Sequence, residues 1–384
     1  MDGRELIYLD NAATSFPKPC SVIDKMSEFM KYHGGNAGRG THKLALDAAE
    51  AIYECRERLC SLLDCDGAER VCFCSGATEA LNIAIKGLLR RGDHVLVSDL
   101  EHNAVLRPVH RLWREGMIEY SIFDSMIDDP KRSPSRICAG IASLMRKNTR
   151  MLICTGASNI CSATMPLWEI GELCRKNGVI FVVDAAQCAG HLPISQKEMN
   201  IDALCLPGHK GLLGAQGCGA VIFRRGTEAR GIVDGGNGVS SLEMEMRGDL
   251  PERIEAGTLP TPAIVGLCEG ARIVEELGVD RIAAHERALF RLCADRLPRI
   301  DGISLHAGSY EGSVLLFSHN KFSSEELAAR LSDMNICVRG GYHCCALGHR
   351  RLGTDKDGAL RVSFGVFNSS DDVEGLCEAL ASIN

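Results

Sequence analysis

The chain has 384 residues, 45% of them apolar, 24% charged and 5% aromatic, and 43 basic against 50 acidic side chains give a net charge of −7. That balance excludes a disordered chain, and the length points to two domains, each with its own core. A negative charge without a basic block excludes nucleic acid as the main partner, and no apolar run reaches the ~18 residues that would span a bilayer. The charged start Met1-Asp2-Gly3-Arg4-Glu5 lacks a signal-peptide pattern, so no membrane partner and a cytoplasmic location are expected.

In chain order, Leu44, Ala48, Ala49, Ile52, Leu59, Leu62 and Leu63 recur at nearly helical spacing and predict an amphipathic helix over 42–63. Short apolar runs then predict strands at 71–74, 94–98, 117–122, 151–154, 179–183, 203–206 and 219–223. Helices are predicted between them at 78–89, 104–114, 136–145 and 167–177. Such alternation reads as βαβ units around a mostly parallel sheet with helices on both faces. Residues 226–262 are rich in Gly, Pro and charge and read as a loop-rich crossing. Beyond them, helices at 263–277, 281–297, 324–334 and 370–383 and strands at 303–306, 313–317, 336–339 and 359–364 predict a smaller α+β domain.

The 19 cysteines are an odd number in a long chain, against a disulfide framework. No C-x-x-C motif occurs, and the closest clusters are Cys72-x-Cys74 and Cys344-Cys345, so a metal site has no support. Most of them read as small buried hydrophobes in a reducing compartment.

Three segments could carry chemistry. The apolar run 179–183 ends in Asp184-Ala-Ala-Gln187, at the strand end where open α/β sheets bind ligands; a helix cap reads equally well. Gly208-His209-Lys210-Gly211 holds a lysine in a tight loop after a strand. The order is wrong for a P-loop, and the lysine is either solvated or an amine that condenses with a carbonyl cofactor. Ser75-Gly76-Ala77-Thr78-Glu79 opens a helix with free backbone N–H groups, suited to phosphate or to an ordinary cap. Together, a phosphate cradle, an aspartate beyond a strand and a loop lysine are what pyridoxal phosphate needs.

The arrangement resembles the cysteine desulfurase and selenocysteine lyase family, in the class V aminotransferase branch of fold-type I pyridoxal phosphate enzymes. The resemblance runs from Tyr8-Leu-Asp10-Asn11 to Phe364-Gly-Val-Phe-Asn368. It includes Asn36-Ala-Gly-Arg39-Gly-Thr-His42, Gly76-Ala-Thr78-Glu-Ala-Leu-Asn82, Glu101-His102-Asn103, Ala157-Ser-Asn159, Asp184-Ala-Ala-Gln187, Gly208-His209-Lys210, Glu255-Ala-Gly-Thr258 and Arg339-Gly-Gly-Tyr-His-Cys344. It implies a mostly parallel seven-stranded sheet in a large domain of residues 15–258, and a small α+β domain from 1–14 and 259–384.

The same resemblance implies that Lys210 carries the cofactor, Asp184 pairs with its pyridine nitrogen and Gln187 with its ring hydroxyl. His102 would stack on the ring and move protons. Ala77, Thr78 and His209 would hold the phosphate, with Thr258 reaching it from the other subunit of a homodimer. Asn11, Asn159, Arg339 and Arg361 would bind the substrate, L-cysteine or L-selenocysteine. Cys344 would take the sulfur as a persulfide for an acceptor protein, its thiol acidified by Arg339 and His343 unless that pair only shapes the loop. The short Arg-x-Gly-x-His-Cys spacing resembles the group II subfamily. Two departures stand out: Pro207, where relatives often carry Ser or Thr, and Cys345, where relatives carry Ala and which reads as inert. Another class V activity and a sulfur-carrier scaffold without turnover are the alternatives; Lys210, Asp184 and Cys344 argue against the scaffold.

Overall fold

The computed structural model describes residues 6–38, 40–238, 242–246, 248–306 and 312–383. Arg39, part of one family motif, lies outside them. The first part of the chain runs β1 (Ile7–Tyr8), α1 (Cys20–Tyr32), α2 (Lys43–Leu62), β2 (Val71–Cys74), α3 (Ala77–Leu88), β3 (Asp93–Ser98), α4 (Asn103–Arg114), β4 (Ile118–Phe123), α5 (Pro134–Leu144), β5 (Thr149–Thr155), α6 (Leu167–Asn177), β6 (Ile180–Asp184), β7 (Ala203–Pro207) and β8 (Gly219–Phe223). After the crossing come α7 (Thr261–Leu277), α8 (Val279–Arg296), β9 (Ile303–Leu305), β10 (Val314–His319), α9 (Ser324–Asp333), β11 (Ile336–Cys337), α10 (Ala346–Arg351), β12 (Leu360–Ser363) and α11 (Ser370–Ile383).

Seven strands form one sheet in the order β2-β8-β7-β6-β5-β3-β4. All neighbours pair parallel except β8, which runs antiparallel to both β2 and β7. The strands read as apolar runs because the sheet is covered on both faces. Alternation within β5 makes the point: Leu152 and Cys154 join a core with α2, α5, α6 and α7, while Met151 and Ile153 join one with α3 and α4. The sheet therefore presents one edge, the carboxyl ends of β2, β3, β5, β6 and β7, on which chemistry can be assembled.

A third core gathers Phe290, Leu315, Phe317, Leu331, Val362 and Leu376 from α8 to α11, and Leu9 from the N-terminus belongs to it. Its antiparallel sheet has the order β12-β10-β9, and β1 pairs parallel with β11. The chain start is thus sewn to the chain end. Each predicted strand and helix is present, its bounds shifted by a few residues at most. Helices α1 and α10 were not predicted, although α1 carries Val22, Ile23, Met26, Phe29 and Met30 at helical spacing, with Val22 and Phe29 buried; α10 is too short to display a period. No helix among the described residues is long and apolar enough to cross a membrane.

Candidate active site

Each predicted segment leaves the sheet at the same edge. β2 delivers Ser75 to Thr78, β3 delivers Glu101 and His102, β5 delivers Asn159, β6 ends in Asp184, and β7 leads into His209 and Lys210. All of these except the deeper Glu101 line one cavity of about 250 Å³ together with Gln187 and Pro207. The register explains the convergence: Asp184 stands between Thr155 of β5 and Cys205 of β7, level with the ends of both strands.

The lysine loop is latched from outside. The His209 carbonyl accepts the Ser15 N–H at 3.1 Å, the Thr14 hydroxyl at 3.0 Å and the Lys18 ammonium at 2.8 Å. The Lys210 side chain then extends into the cavity, enclosed by protein yet in contact with the open space. Its amine has no hydrogen-bond partner among the described residues. Burial lowers its pKa to about 8, against the opposing pull of Asp184. Burial likewise lowers His209 to about 4.

Asp184 is buried, which pushes its pKa up; the Ala186 N–H at 2.9 Å, His102 and Lys210 pull it back. His102 is the N-cap of α4, its Nδ1 accepting the Ala104 N–H at 3.0 Å. That bond fixes the neutral tautomer with the proton on Nε2. Beneath both lies Glu101, fully buried and raised to about 8 chiefly by burial, with Asp184 adding to the shift. Its Oε1 accepts from the Ser98 hydroxyl and the Thr155 N–H, while Oε2 has no partner. A protonated Glu101 at neutral pH leaves Asp184 as the negative charge here. The sequence quoted Glu101 in a motif but assigned it no part.

At the other end of the cavity α3 begins without a side-chain cap. Gly76 sits at φ 155°, which favours glycine, and a Cβ on Gly219 of β8 would meet Gly76 Cα at 2.6 Å, so β8 needs glycine at 219 to pass the turn that follows β2. The uncapped N–H groups of Ala77 and Thr78 face the same cavity as Lys210. An uncapped helix start, an unpartnered buried amine and an aspartate with one oxygen left over fit a flat phosphorylated aldehyde bearing a ring nitrogen. Gln187 faces this space too, with Nε2 donating to the Ala12 carbonyl at 2.9 Å.

The Cys344 loop closes over the mouth. The Cys344 carbonyl accepts the Asn103 N–H at 2.7 Å, next to His102, and the His343 carbonyl accepts from Asn159 Nδ2 at 2.7 Å. His343 and Cys344 are both left-handed, at φ 49° and 54°, a conformation such residues hold only when their surroundings impose it. The Cys344 side chain is exposed; of the 19 cysteines, it and Cys20 are the exposed ones. Cys345 points inward, with Sγ against the Leu100 carbonyl at 3.4 Å, and burial raises its pKa. That geometry agrees with an inert Cys345.

His343 is held as a neutral ring beside Cys344. Its Nε2–H donates to the Arg339 carbonyl at 3.1 Å, so its Nδ1 accepts from His349 Nε2 at 3.2 Å. His349 Nδ1 in turn accepts the Thr354 hydroxyl at 2.7 Å. Burial, then Arg361, lowers His343 to about 3, so it is neutral at working pH. Its hydrogen bonds tie Arg339 to His349 within the loop, which agrees with the second of the two roles the sequence allowed.

Arg361 and Arg339 share one carboxylate, that of Asp10. Arg361 Nη2 donates to Asp10 Oδ1 at 2.8 Å, and Arg339 reaches Oδ2 through Nη2 at 2.8 Å and Nε at 3.0 Å. Arg361 is buried, its Nη1 donates to the Asn159 carbonyl at 3.1 Å, and its Nε is unpartnered. Asp10 was missed as a site residue, because 351 residues of chain separate it from Arg361. Asn11 departs from expectation. It is buried away from the cavity, Nδ2 donating to the Ser363 carbonyl at 3.1 Å and to Asn368 Oδ1 at 3.0 Å, which leaves no N–H for a substrate. Thr258 is exposed outside this chain's cavity, beside Asn36. Its loop is fastened by the buried Glu255, which takes Arg56 Nη2 at 2.8 Å and the Phe73 N–H at 2.6 Å.

The aminotransferase class-V family model matches residues 7–376. A protein of Methanothermobacter thermautotrophicus named "Probable cysteine desulfurase" is 30% identical, over 99% of this chain and 95% of its own length. A relative of the same name from Mycolicibacterium paratuberculosis is 31% identical over the whole chain, which spans 56% of that longer protein. Among solved structures, apo cysteine desulfurase from Thermococcus onnurineus NA1 superposes with a TM-score of 0.89 at 29% identity, over 98% of this chain and 94% of its own. With that match along nearly its whole length and with its site on the strand ends of a shared fold, the chain belongs to the aminotransferase class-V family.

Proposed function

We propose that the protein is a pyridoxal phosphate-dependent cysteine desulfurase that converts L-cysteine to L-alanine and keeps the sulfur as a persulfide on Cys344. The observation that carries this reading is an exposed cysteine on a loop stapled by Asn103 and Asn159 over the cavity of Lys210 and Asp184. Relatives named for this activity support it. Bound pyridoxal phosphate supplies an electron sink conjugated to the substrate's α-carbon.

The chain's own groups do the rest. Ala77, Thr78 and His209 would hold the phosphate, Asp184 would keep the ring nitrogen protonated, Gln187 would meet the ring hydroxyl and His102 would pack against the ring. Arg361 takes the substrate carboxylate in a two-pronged grip, with Asn159 beside it. Lys210 removes the α-proton and later returns protons. The Cys344 thiolate attacks the substrate sulfur: a sulfur–sulfur bond forms, the substrate's carbon–sulfur bond breaks, and its electron pair stays with the carbon, which is protonated to the methyl of alanine. Residues 15–258 together with α7, whose Ile264 and Leu267 pack in the core of the large sheet, carry the cofactor, and residues 1–14 with the chain beyond α7 close over the amino acid, so the boundary expected at 258 falls after α7 instead.

A homodimer is part of this reading. α1 and α2 leave Ile23, Met30, Tyr32, Leu46 and Tyr53 exposed, an apolar surface suited to a second copy. There Thr258 would reach the partner's phosphate, and an acceptor protein would collect the sulfur from Cys344 in a reducing cytoplasm. The test is turnover of the holoenzyme on L-cysteine, with L-selenocysteine as a second arm and dithiothreitol as reductant. Alanine and sulfide in equal amounts are expected; pyruvate in place of alanine would overturn the reading.

Asp10 supplies a further expected outcome. Asp10→Asn removes the charge that aims both guanidiniums, and a hydrogen bond to a charged group contributes about 1.5–3 kcal/mol. KM for L-cysteine should therefore rise about tenfold or more, with a smaller change in kcat and an unchanged cofactor spectrum. Steady-state kinetics checks this, and an unchanged KM would count against an orienting role.

A further inference from the structure

A second cavity, of about 700 Å³, opens at the far edge of the sheet, where β5 and β6 begin and β8 ends. β6 spans the two sites: Ile180 lines this cavity and Asp184 the catalytic one, about 13 Å apart along an extended strand. Five arginines line it, Arg90, Arg150, Arg175, Arg224 and Arg230, against two carboxylates. Both carboxylates are already engaged. Glu228 pairs with Arg253 at 2.7 Å and Arg70 at 3.6 Å, neither of them a lining residue. Asp202 accepts the Phe181 N–H at 2.8 Å and has Arg224 at 4.0 Å. Arg230 donates to the Leu89 carbonyl at 3.2 Å. The exposed guanidiniums of Arg90, Arg150 and Arg175 have no hydrogen bond or ion pair among the described residues.

Five arginines on the lining of one cleft, three of them without a hydrogen bond or ion pair among the described residues though Arg150 also acts on Asp202, in a chain whose net charge is −7, mark a local concentration of positive charge. Their planar forks match phosphate oxygens two at a time. The lining is not purely ionic: Leu88, Val179 and Ile180 add a strip of apolar surface to it. A single inorganic phosphate leaves that strip and most of the volume unused, whereas the size suits a whole organic ligand, within the roughly 300–1,000 Å³ of small-molecule sites.

We propose that this cleft binds a nucleoside di- or triphosphate, its phosphate chain on Arg90, Arg150 and Arg175 and its base against Leu88, Val179 and Ile180. The site is separate from the sulfur chemistry and does not depend on it. Calorimetric titration of the holoenzyme with ATP, and separately with sodium triphosphate, tests it. ATP should bind once per chain with Kd below about 1 mM, at least tenfold tighter than triphosphate. The exposed double variant Arg150→Glu/Arg175→Glu should weaken ATP at least tenfold while its melting temperature and nucleotide-free cysteine turnover stay unchanged. Absence of binding by ATP, or ATP binding that survives in the double variant, would overturn the proposal. Equal affinity for ATP and triphosphate would overturn the nucleoside part. Displacement of ATP by a poly-glutamate peptide at matched charge would overturn it in favour of an acidic protein segment.

Discussion

Holoenzyme carrying Cys344→Ser is expected to keep its colour and its affinity for L-cysteine and to lose sulfide release by about 10³-fold or more. The chemistry asks for a soft nucleophile that can reach a sulfur atom, and a serine hydroxyl at neutral pH is neither ionised nor thiophilic. Affinity should survive because the groups offered to the amino acid, Arg361 and Asn159, lie on other elements and keep their bonds to Asp10 and His343. Mass spectrometry of wild-type protein after one turnover should find one added sulfur on the peptide holding Cys344. Cys345→Ala should leave the rate within about twofold, because that thiol is buried against Leu100 and its pKa is raised. Wild-type turnover by Cys344→Ser would remove the persulfide from the mechanism.

Cys344 and Cys345 also show what sequence can and cannot carry. A C-C pair gives no orientation; the alternation of exposure and burial at 344 and 345 comes from two left-handed residues and from carbonyl bonds to segments 184 and 241 residues away. The central strands were legible because they are apolar runs buried on both faces, unlike the partly exposed edge strand β4, and strand ends located Thr78, Asp184 and Lys210 without any side-chain geometry, whereas His102 came from the family resemblance. Asp10 was not legible, since its partners Arg339 and Arg361 are brought to it only by the pairing of the chain start with β11 and Ser363. Asn11 shows the converse. It sits in a family motif, yet its amide is consumed in holding that same junction together. Glu101 was hidden for another reason: its consequence is a proton, retained because the carboxyl is buried near Asp184.

Lys210→Ala should remove the yellow colour that comes from the lysine-bound cofactor and lower turnover by more than about 10⁴-fold. General acid–base groups contribute about 10² to 10⁴ alone, and Lys210 adds to that the covalent tie to the cofactor aldehyde. Its surroundings favour both tasks. With its pKa lowered from 10.5 to about 8, the amine at pH 8 is about half neutral, where an ordinary lysine is under about 1% neutral. Asp184 opposes a larger drop, so the amine can still hold a proton between its removal from one carbon and its return to another. Collapse of the fold is a separate outcome, because the loop is fastened through the His209 carbonyl to Thr14, Ser15 and Lys18, none of which touches the Lys210 side chain through those bonds. The variant should therefore melt near the wild-type temperature. Added methylamine should restore part of its turnover if proton movement is what was lost, while Lys210→Arg should stay inactive, since a guanidinium neither deprotonates at this pH nor condenses with the aldehyde. Full activity in Lys210→Ala would remove this lysine from the chemistry, whatever the family to which the chain belongs.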